Sequence, residues 1–253
     1  MSARPVVLIG LKSYLGHART LAWFDELLGL VMDGRTEGLS LVVAPSATTL
    51  ATLAPLARTA GVALAAQDCS RHPPGAWTGE LSASLLAEVG VSHVEVGHIE
   101  RRRLGDTDQV IAAKVRSLVG EGLTPIVCVG EDERSSPTEA AAESVRRLES
   151  ALADVPRGHP VLVAYEPTWA IGASSPAPAA HVIAVANRLR AWLDRFPAAR
   201  LVYGGAAGPG TYREIASAVD GLGLGRRVHD AAALAAVLDE MRSAGAPVEW
   251  RIM

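Results

Sequence analysis

The sequence predicts an α/β chain closed into one (β/α)8 barrel, a single domain over residues 1–253. Two observations carry that expectation. Short, continuously apolar runs alternate with stretches of helical period, the pattern of a parallel sheet buried on both faces. The alternation repeats eight times within 253 residues, with no linker or low-complexity stretch between repeats. That count and length fit a closed barrel better than an open sheet. With 49% apolar residues, the chain can bury the large core such a barrel needs.

The expected strands are 6–10, 39–43, 62–66, 93–96, 125–129, 160–165, 200–203 and 221–224. Between and after them, helical periodicity covers 20–32, 48–59, 81–89, 107–119, 138–152, 179–195, 210–218 and 231–241. Most of these stretches are rich in Ala and Leu, with charges on one side. The alanine-rich piece 174–180, with its two prolines, reads as the exit of a surface flap rather than a domain boundary.

Composition narrows the function. A net charge of −3 offers no basic balance for nucleic acid or an acidic membrane surface. No apolar run reaches eighteen residues, and Met1-Ser2-Ala3-Arg4-Pro5 has no signal-peptide pattern. Cys69 and Cys128 lack paired ligand spacing, which fits a reduced, cytoplasmic protein. The seven histidines form no HxH or HExxH arrangement, so neither a metal nor a cofactor is expected.

In such a barrel, functional groups sit at the C-terminal ends of the strands and on the loops that follow. Strand one delivers Lys12, strand three Gln67 and Asp68, strand four His98 and Glu100. Strand five delivers Cys128 and Glu131, and strand six Glu166. Strand seven delivers Gly204-Gly205-Ala206, and strand eight Gly225-Arg226. Glu166 is followed at once by Pro167, which has no N–H and stops the sheet. Residues 168–172 then form a small apolar flap. A carboxylate at a strand end beneath such a flap suits a base working out of water. Plainer readings stand beside these: Lys12 as a solvated lysine, Glu100-Arg101-Arg102-Arg103 as a salt-bridged helix start, Gly204-Gly205 as turn chemistry, Cys128 as packed core.

Four motifs recur in order on these strand ends. They are Val96-Gly97-His98-Ile99-Glu100-Arg101-Arg102, Pro125-Ile126-Val127-Cys128-Val129-Gly130-Glu131, Ala164-Tyr165-Glu166-Pro167-Thr168-Trp169-Ala170-Ile171-Gly172 and Tyr203-Gly204-Gly205. On them the chain resembles the triosephosphate isomerases over nearly its whole length. The resemblance implies an aldose–ketose isomerase acting on a small phosphorylated sugar in carbohydrate metabolism. Glu166 would move a proton between adjacent carbons, neutral His98 would polarise the carbonyl, and Lys12 would add positive charge. His98 would stand at the start of a helix opened by Ile99-Glu100-Arg101, whose dipole disfavours the imidazolium. Glu100 would hold Lys12. Pro167, Thr168 and Trp169 would belong to the lid, with Glu131 or Tyr165 as its partner in the open state. Phosphate would lie on Gly172, Gly204, Gly205, Ala206, Gly225 and Arg226. Gly75-Ala76-Trp77-Thr78-Gly79-Glu80 resembles the family's third loop, which implies a homodimer through Trp77 and Thr78.

The sequence departs from that pattern where the family usually has an asparagine (here Gly10), a serine after the histidine (Ile99), a serine after Tyr-Gly-Gly (Ala206) and a second glycine in loop eight (Arg226). The lid exit Gly172-Ala173-Ser174-Ser175-Pro176 also lacks the familiar glycine–lysine pair. The groups for chemistry are intact, while those that would grip the substrate's far end have changed. Three readings stand: an isomerase of triose phosphates, an isomerase of a four-carbon sugar phosphate such as erythrulose phosphate, or a catalytically silent barrel that binds a phosphometabolite.

Overall fold

The computed structural model describes residues 4–245. Eight parallel strands close into a barrel in sequence order, β1 (Val6–Gly10), β2 (Ser40–Ala44), β3 (Ala63–Ala66), β4 (His93–Val96), β5 (Thr124–Val129), β6 (Val161–Tyr165), β7 (Ala199–Tyr203) and β8 (Gly221–Leu224). β8 closes onto β1 with Leu8 opposite Gly223. The helices are α1 (His17–Met32), α2 (Leu50–Thr59), α3 (Ala83–Glu88), α4 (Ile99–Arg103), α5 (Asp108–Gly120), α6 (Pro137–Ala151), α7 (Ala179–Leu193), α8 (Thr211–Ile215) and α9 (Ala231–Gly245).

Strand bounds agree with the sequence reading to within a residue, because continuous β-branched and apolar runs mark buried parallel strands plainly. Helix bounds differ more. α3 starts at Ala83 rather than 81 because the Ser82 hydroxyl caps it, accepting the Leu85 N–H. α6 starts one residue early, where Ser136 and Glu139 form a capping box and Pro137 sits in the first turn. The stretch read as helix from 210 to 218 is a single short helix, Thr211–Ile215.

The strands' two faces bury different things. Val7, Ile9, Val43, Val94, Val96 and Val163 face the surrounding helices and pack against Trp23, Phe24 and Leu27 of α1 and the other apolar helix faces. Val6, Leu8, Val42, Ala44, Ala65, Ile126, Cys128, Leu162, Ala164 and Val202 form a second cluster inside the barrel. Period-two alternation separates the two sets. The inner filling closes the barrel as a pore and leaves one cavity at the N-terminal strand ends, lined by Val6, Val42, His93 and Leu162, and another at the C-terminal strand ends, where the loops converge. None of the described helices is long and apolar enough to cross a membrane.

Candidate active site

The cavity at the C-terminal strand ends holds about 280 Å³ and brings together Lys12, His98 and Glu166 from three strand ends with Gly172, Gly204, Ala206, Gly225 and Arg226 from loops six to eight. Among the described residues no group of acidic, histidine or cysteine side chains is arranged to hold a metal ion.

Glu166 continues the line of β6, and its N–H donates to the Val129 carbonyl at 2.7 Å. Its carboxylate turns inward and is buried, and Oε2 has no hydrogen-bond partner among the described residues. Burial, and then the neighbouring Glu95 carboxylate, push its pKa up to about 8. Gly204 is what lets the carboxylate lie there. A Cβ at position 204 would stand 2.4 Å from Glu166 Oε1, so any other residue would displace the acid. The Gly204 N–H already donates to the Tyr165 carbonyl at 2.9 Å and is not free for a ligand.

His98 follows β4 after Gly97, which takes a left-handed φ of 77°. It is the N-cap residue of α4, and its Nδ1 accepts the Glu100 N–H at 3.1 Å. An Nδ1 that accepts cannot carry the proton, so the neutral ring presents Nε2–H. Nε2 lies 3.5 Å from Glu166 Oε2. The pKa of His98 is lowered to about 4, first by burial and then by the Lys12 ammonium. Burial, more than the helix end that the sequence suggested, keeps this ring neutral.

Lys12 sits at φ 49°, a left-handed conformation rare for a residue with a Cβ and of the kind that clusters at working sites. Gln67, at the end of β3, pins that turn by donating from Nε2 to the carbonyls of Lys12 and Ala44, both at 3.0 Å. Lys12 Nζ pairs with Glu100 Oε1 at 2.6 Å, and the Lys12 ion pair holds Glu100 below the ordinary carboxylate range against its desolvation.

At the other side of the cavity, the N–H groups of Gly172, Ala206 and Gly225 give no hydrogen bond to the described residues. Ala206, which lines the cavity, takes φ 50° despite its Cβ. Gly205 lies behind this lining, against the Tyr203 hydroxyl. Arg226 opens a short 3-10 turn, Arg226–His229, with φ negative, so the arginine costs the turn no left-handed strain. Its guanidinium lies over the Tyr14 ring at 5.6 Å. Arg227 donates to the Ser174 carbonyl on the lid exit.

The flap is a 3-10 turn at Thr168–Ala170. Ile171 and Gly172 line the cavity, while Pro167, Thr168 and Trp169 stand behind them. Fully buried Glu131 gathers the flap's entry. It accepts Trp169 Nε1–H at 2.8 Å and the Tyr165 hydroxyl at 3.1 Å, and its main-chain carbonyl accepts the Thr168 N–H at 3.0 Å. The exit is held by Tyr203, whose hydroxyl accepts the Ala177 N–H at 2.8 Å and donates to the Gly205 carbonyl at 2.6 Å.

Sequence reasoning passed over Gln67's grip on Lys12, the Tyr203 latch and, above all, Glu95. The alternation in His93-Val94-Glu95-Val96 carried the signal, since Val94 and Val96 face the helices and Glu95 therefore faces the barrel interior. Glu95 lines the cavity, and burial pushes its pKa up to about 7 against the pull of Lys12.

A family model described as triosephosphate isomerase matches residues 5–241. An L-erythrulose-1-phosphate isomerase of Pectobacterium atrosepticum is 38% identical over 251 residues, covering 95% of this chain and 97% of that protein. A triosephosphate isomerase of Trichlorobacter lovleyi is 37% identical over 228 residues, covering 85% of this chain and 89% of its own length. The crystal structure of triosephosphate isomerase from Bartonella henselae superposes with a TM-score of 0.80 at 26% identity, over 94% of this chain and 99% of that one.

Proposed function

The chain belongs to the triosephosphate isomerase family and is an isomerase of the aldose–ketose class, and from that premise we propose that its substrate is a four-carbon erythrulose phosphate, with triose phosphate the second reading. The observation that carries the chemistry is the 3.5 Å apposition of His98 Nε2 and Glu166 Oε2 at the floor of a lidded cavity.

Glu166, ionised, takes the proton from the carbon next to the substrate carbonyl. Such a carbon acid is weak and ionises only when base and carbonyl are held in line and the new oxyanion meets donors already in place. His98 supplies one donor through Nε2–H, and Lys12 supplies positive charge. The enediolate collapses when Glu166 returns the proton to the adjacent carbon and His98 moves a proton between the two oxygens. Ile171 and Gly172 close over the intermediate and keep water from it. The free N–H groups of Gly172, Ala206 and Gly225 take the phosphate, with Arg226 at the rim. Glu100 holds Lys12, and Glu131 and Trp169 set the lid.

On a triose phosphate these steps interconvert a ketose and an aldose. On a ketotetrose 1-phosphate they move the carbonyl from C2 to C3 and leave a hydroxymethyl group beyond the reacting carbons. Two observations favour the longer substrate. The relative that matches along 97% of its length carries erythrulose phosphate in its name. The cavity also has room on that side, because a Cβ at Gly10 would meet nothing closer than Glu95 Oε1 at 3.7 Å.

Half-exposed Trp77, stacked on His72 with ring centroids 3.6 Å apart, stands with exposed Leu81 and Leu104 around loop three. That apolar surface supports a homodimer through Trp77 and Thr78, and the free, buried cysteines Cys69 and Cys128 support a reducing, cytoplasmic setting. Purified chain, assayed with L-erythrulose 1-phosphate and with dihydroxyacetone phosphate, tests the substrate. We expect kcat/KM at least tenfold higher for the tetrulose phosphate. The reverse order would establish the triose reading, and turnover of neither, with a phosphate analogue bound, would leave a binding barrel.

A further inference from the structure

Resting on the four-carbon reading, we propose that Glu95 is the specificity-determining residue, its carboxyl binding the hydroxyl on the carbon that a ketotetrose phosphate carries beyond its two reacting carbons.

Four observations lead there. First, Glu95 is an acid inside a barrel whose other inward residues at that depth are apolar, among them Leu8, Ile126 and Ala164. An acid at such a depth is costly unless something binds it or it does work. Second, its carboxyl accepts no hydrogen bond from the described side chains or loop amides, although it shares the cavity with Lys12, His98 and Glu166. Its acceptors are therefore open to a ligand. Third, Gly10 leaves its Oε1 uncovered from the β1 side, where a Cβ would lie 3.7 Å away. Fourth, its place in the barrel is right for the far end of the substrate. β4 stands four strands from β8 in the closed order, so Glu95 faces loop eight across the cavity. Phosphate held on loops six to eight, with the reacting carbons at His98 and Glu166, leaves the terminal hydroxymethyl pointing to the β1–β4 side.

The chemistry suits a hydroxyl. A carboxylate accepts its proton, and a protonated carboxyl can both accept and donate. A triose phosphate has no atom to reach this group, so binding it leaves the half-buried acid without a partner. A site built to bond a hydroxyl discriminates strongly against a substrate lacking one, for that reason.

The test uses the full-length chain and three substrates: L-erythrulose 1-phosphate, its analogue with a terminal methyl in place of the hydroxymethyl, and dihydroxyacetone phosphate. The wild-type protein should prefer the hydroxymethyl compound to the methyl one by about 10- to 150-fold in kcat/KM, the worth of one hydrogen bond to a charged group. Glu95→Leu should abolish that preference, and isosteric Glu95→Gln should keep part of it. A purely structural role for Glu95 would lower kcat/KM on both compounds together and leave their ratio unchanged. A wild type that treats the two alike, or an unchanged ratio in both variants, overturns the proposal. If Glu95→Leu does not fold, the wild-type ratio and Glu95→Gln decide it. A wild type inert on both four-carbon compounds but active on dihydroxyacetone phosphate overturns the substrate reading itself, a result distinct from the loss of Glu95's role.

Discussion

The Glu166 carboxyl has two properties that pull against each other. Its burial under the flap makes a strong base once ionised, and the same burial with Glu95 beside it holds the pKa up at about 8. The free protein should therefore show kcat/KM rising with pH, with its acidic limb well above the ordinary carboxylate range. Glu95→Gln removes one neighbouring negative charge, so it should move that limb to lower pH. A limb near pH 4.5 in the wild type would contradict the environment described here. Glu166→Asp retracts the carboxyl by one methylene, and a displacement of about 1 Å costs on the order of a hundredfold in turnover. Near-normal kcat in that variant would remove Glu166 from the base's role. Glu166 and His98 were legible as candidates because each sits at a strand end inside its own motif, and Lys12 because it follows the end of strand one in a chain that carries those motifs. Glu95 was not: the alternation of its four-residue strand points it inward, but only the closed barrel reveals that it shares a cavity with Gly10, Lys12 and Glu166.

At the scale of elements, the flap is fastened twice, at Glu131 on its entry and at Tyr203 on its exit. The sequence announced the flap through Pro167 and Gly172, since proline stops a strand and glycine accepts φ 75°. The fastenings were hidden because Tyr203 is 26 residues from Ala177 and reads as an ordinary strand aromatic. The same limit applies to α4, a five-residue helix too short for any periodic pattern yet the element that sets the His98 ring through the Glu100 N–H. Tyr203→Phe removes one hydroxyl and orphans two partners, the Ala177 N–H and the Gly205 carbonyl. Because those partners lie on the lid exit and on loop seven, the change should weaken phosphate-analogue binding and kcat/KM by about tenfold, in line with one to two neutral hydrogen bonds. The pH profile set by Glu166 and His98 should stay in place. Unchanged inhibition by a simple phosphate analogue in Tyr203→Phe would show that the latch does not order the phosphate loops.

For the whole molecule, the titratable groups inside the barrel set how stability follows pH. Burial lowers His93 and His98 to about 4, with Lys12 adding to the effect on His98. Burial raises Glu95 to about 7 and, with Glu95 as neighbour, Glu166 to about 8. The histidines ordinarily titrate at 6.5 and the glutamates at 4.5. Between pH 4 and 6.5 the unfolded chain binds more protons at the two histidines, so they make stability rise with pH. Between pH 4.5 and 7 to 8 the folded chain holds more protons at the two glutamates, so they make stability fall with pH. The two slopes oppose each other from pH 4.5 to 6.5 and give a flat maximum there. Above pH 6.5 the glutamates act alone, and at about 1.4 kcal/mol per proton and pH unit the loss by pH 8 is of order 2 kcal/mol. For a chain of this size that lowers the melting temperature by about 4–8 °C. Glu166→Gln, which has no charge to bury, should flatten the fall above pH 6.5 and gain most over the wild type at pH 8. It should gain little at pH 4.5, where the native carboxyl is already protonated. Melting curves of both proteins across pH 4.5 to 8.5 check this, and a wild type whose melting temperature rises from pH 6.5 to 8 would mean that the buried carboxyls do not pay for their placement in stability.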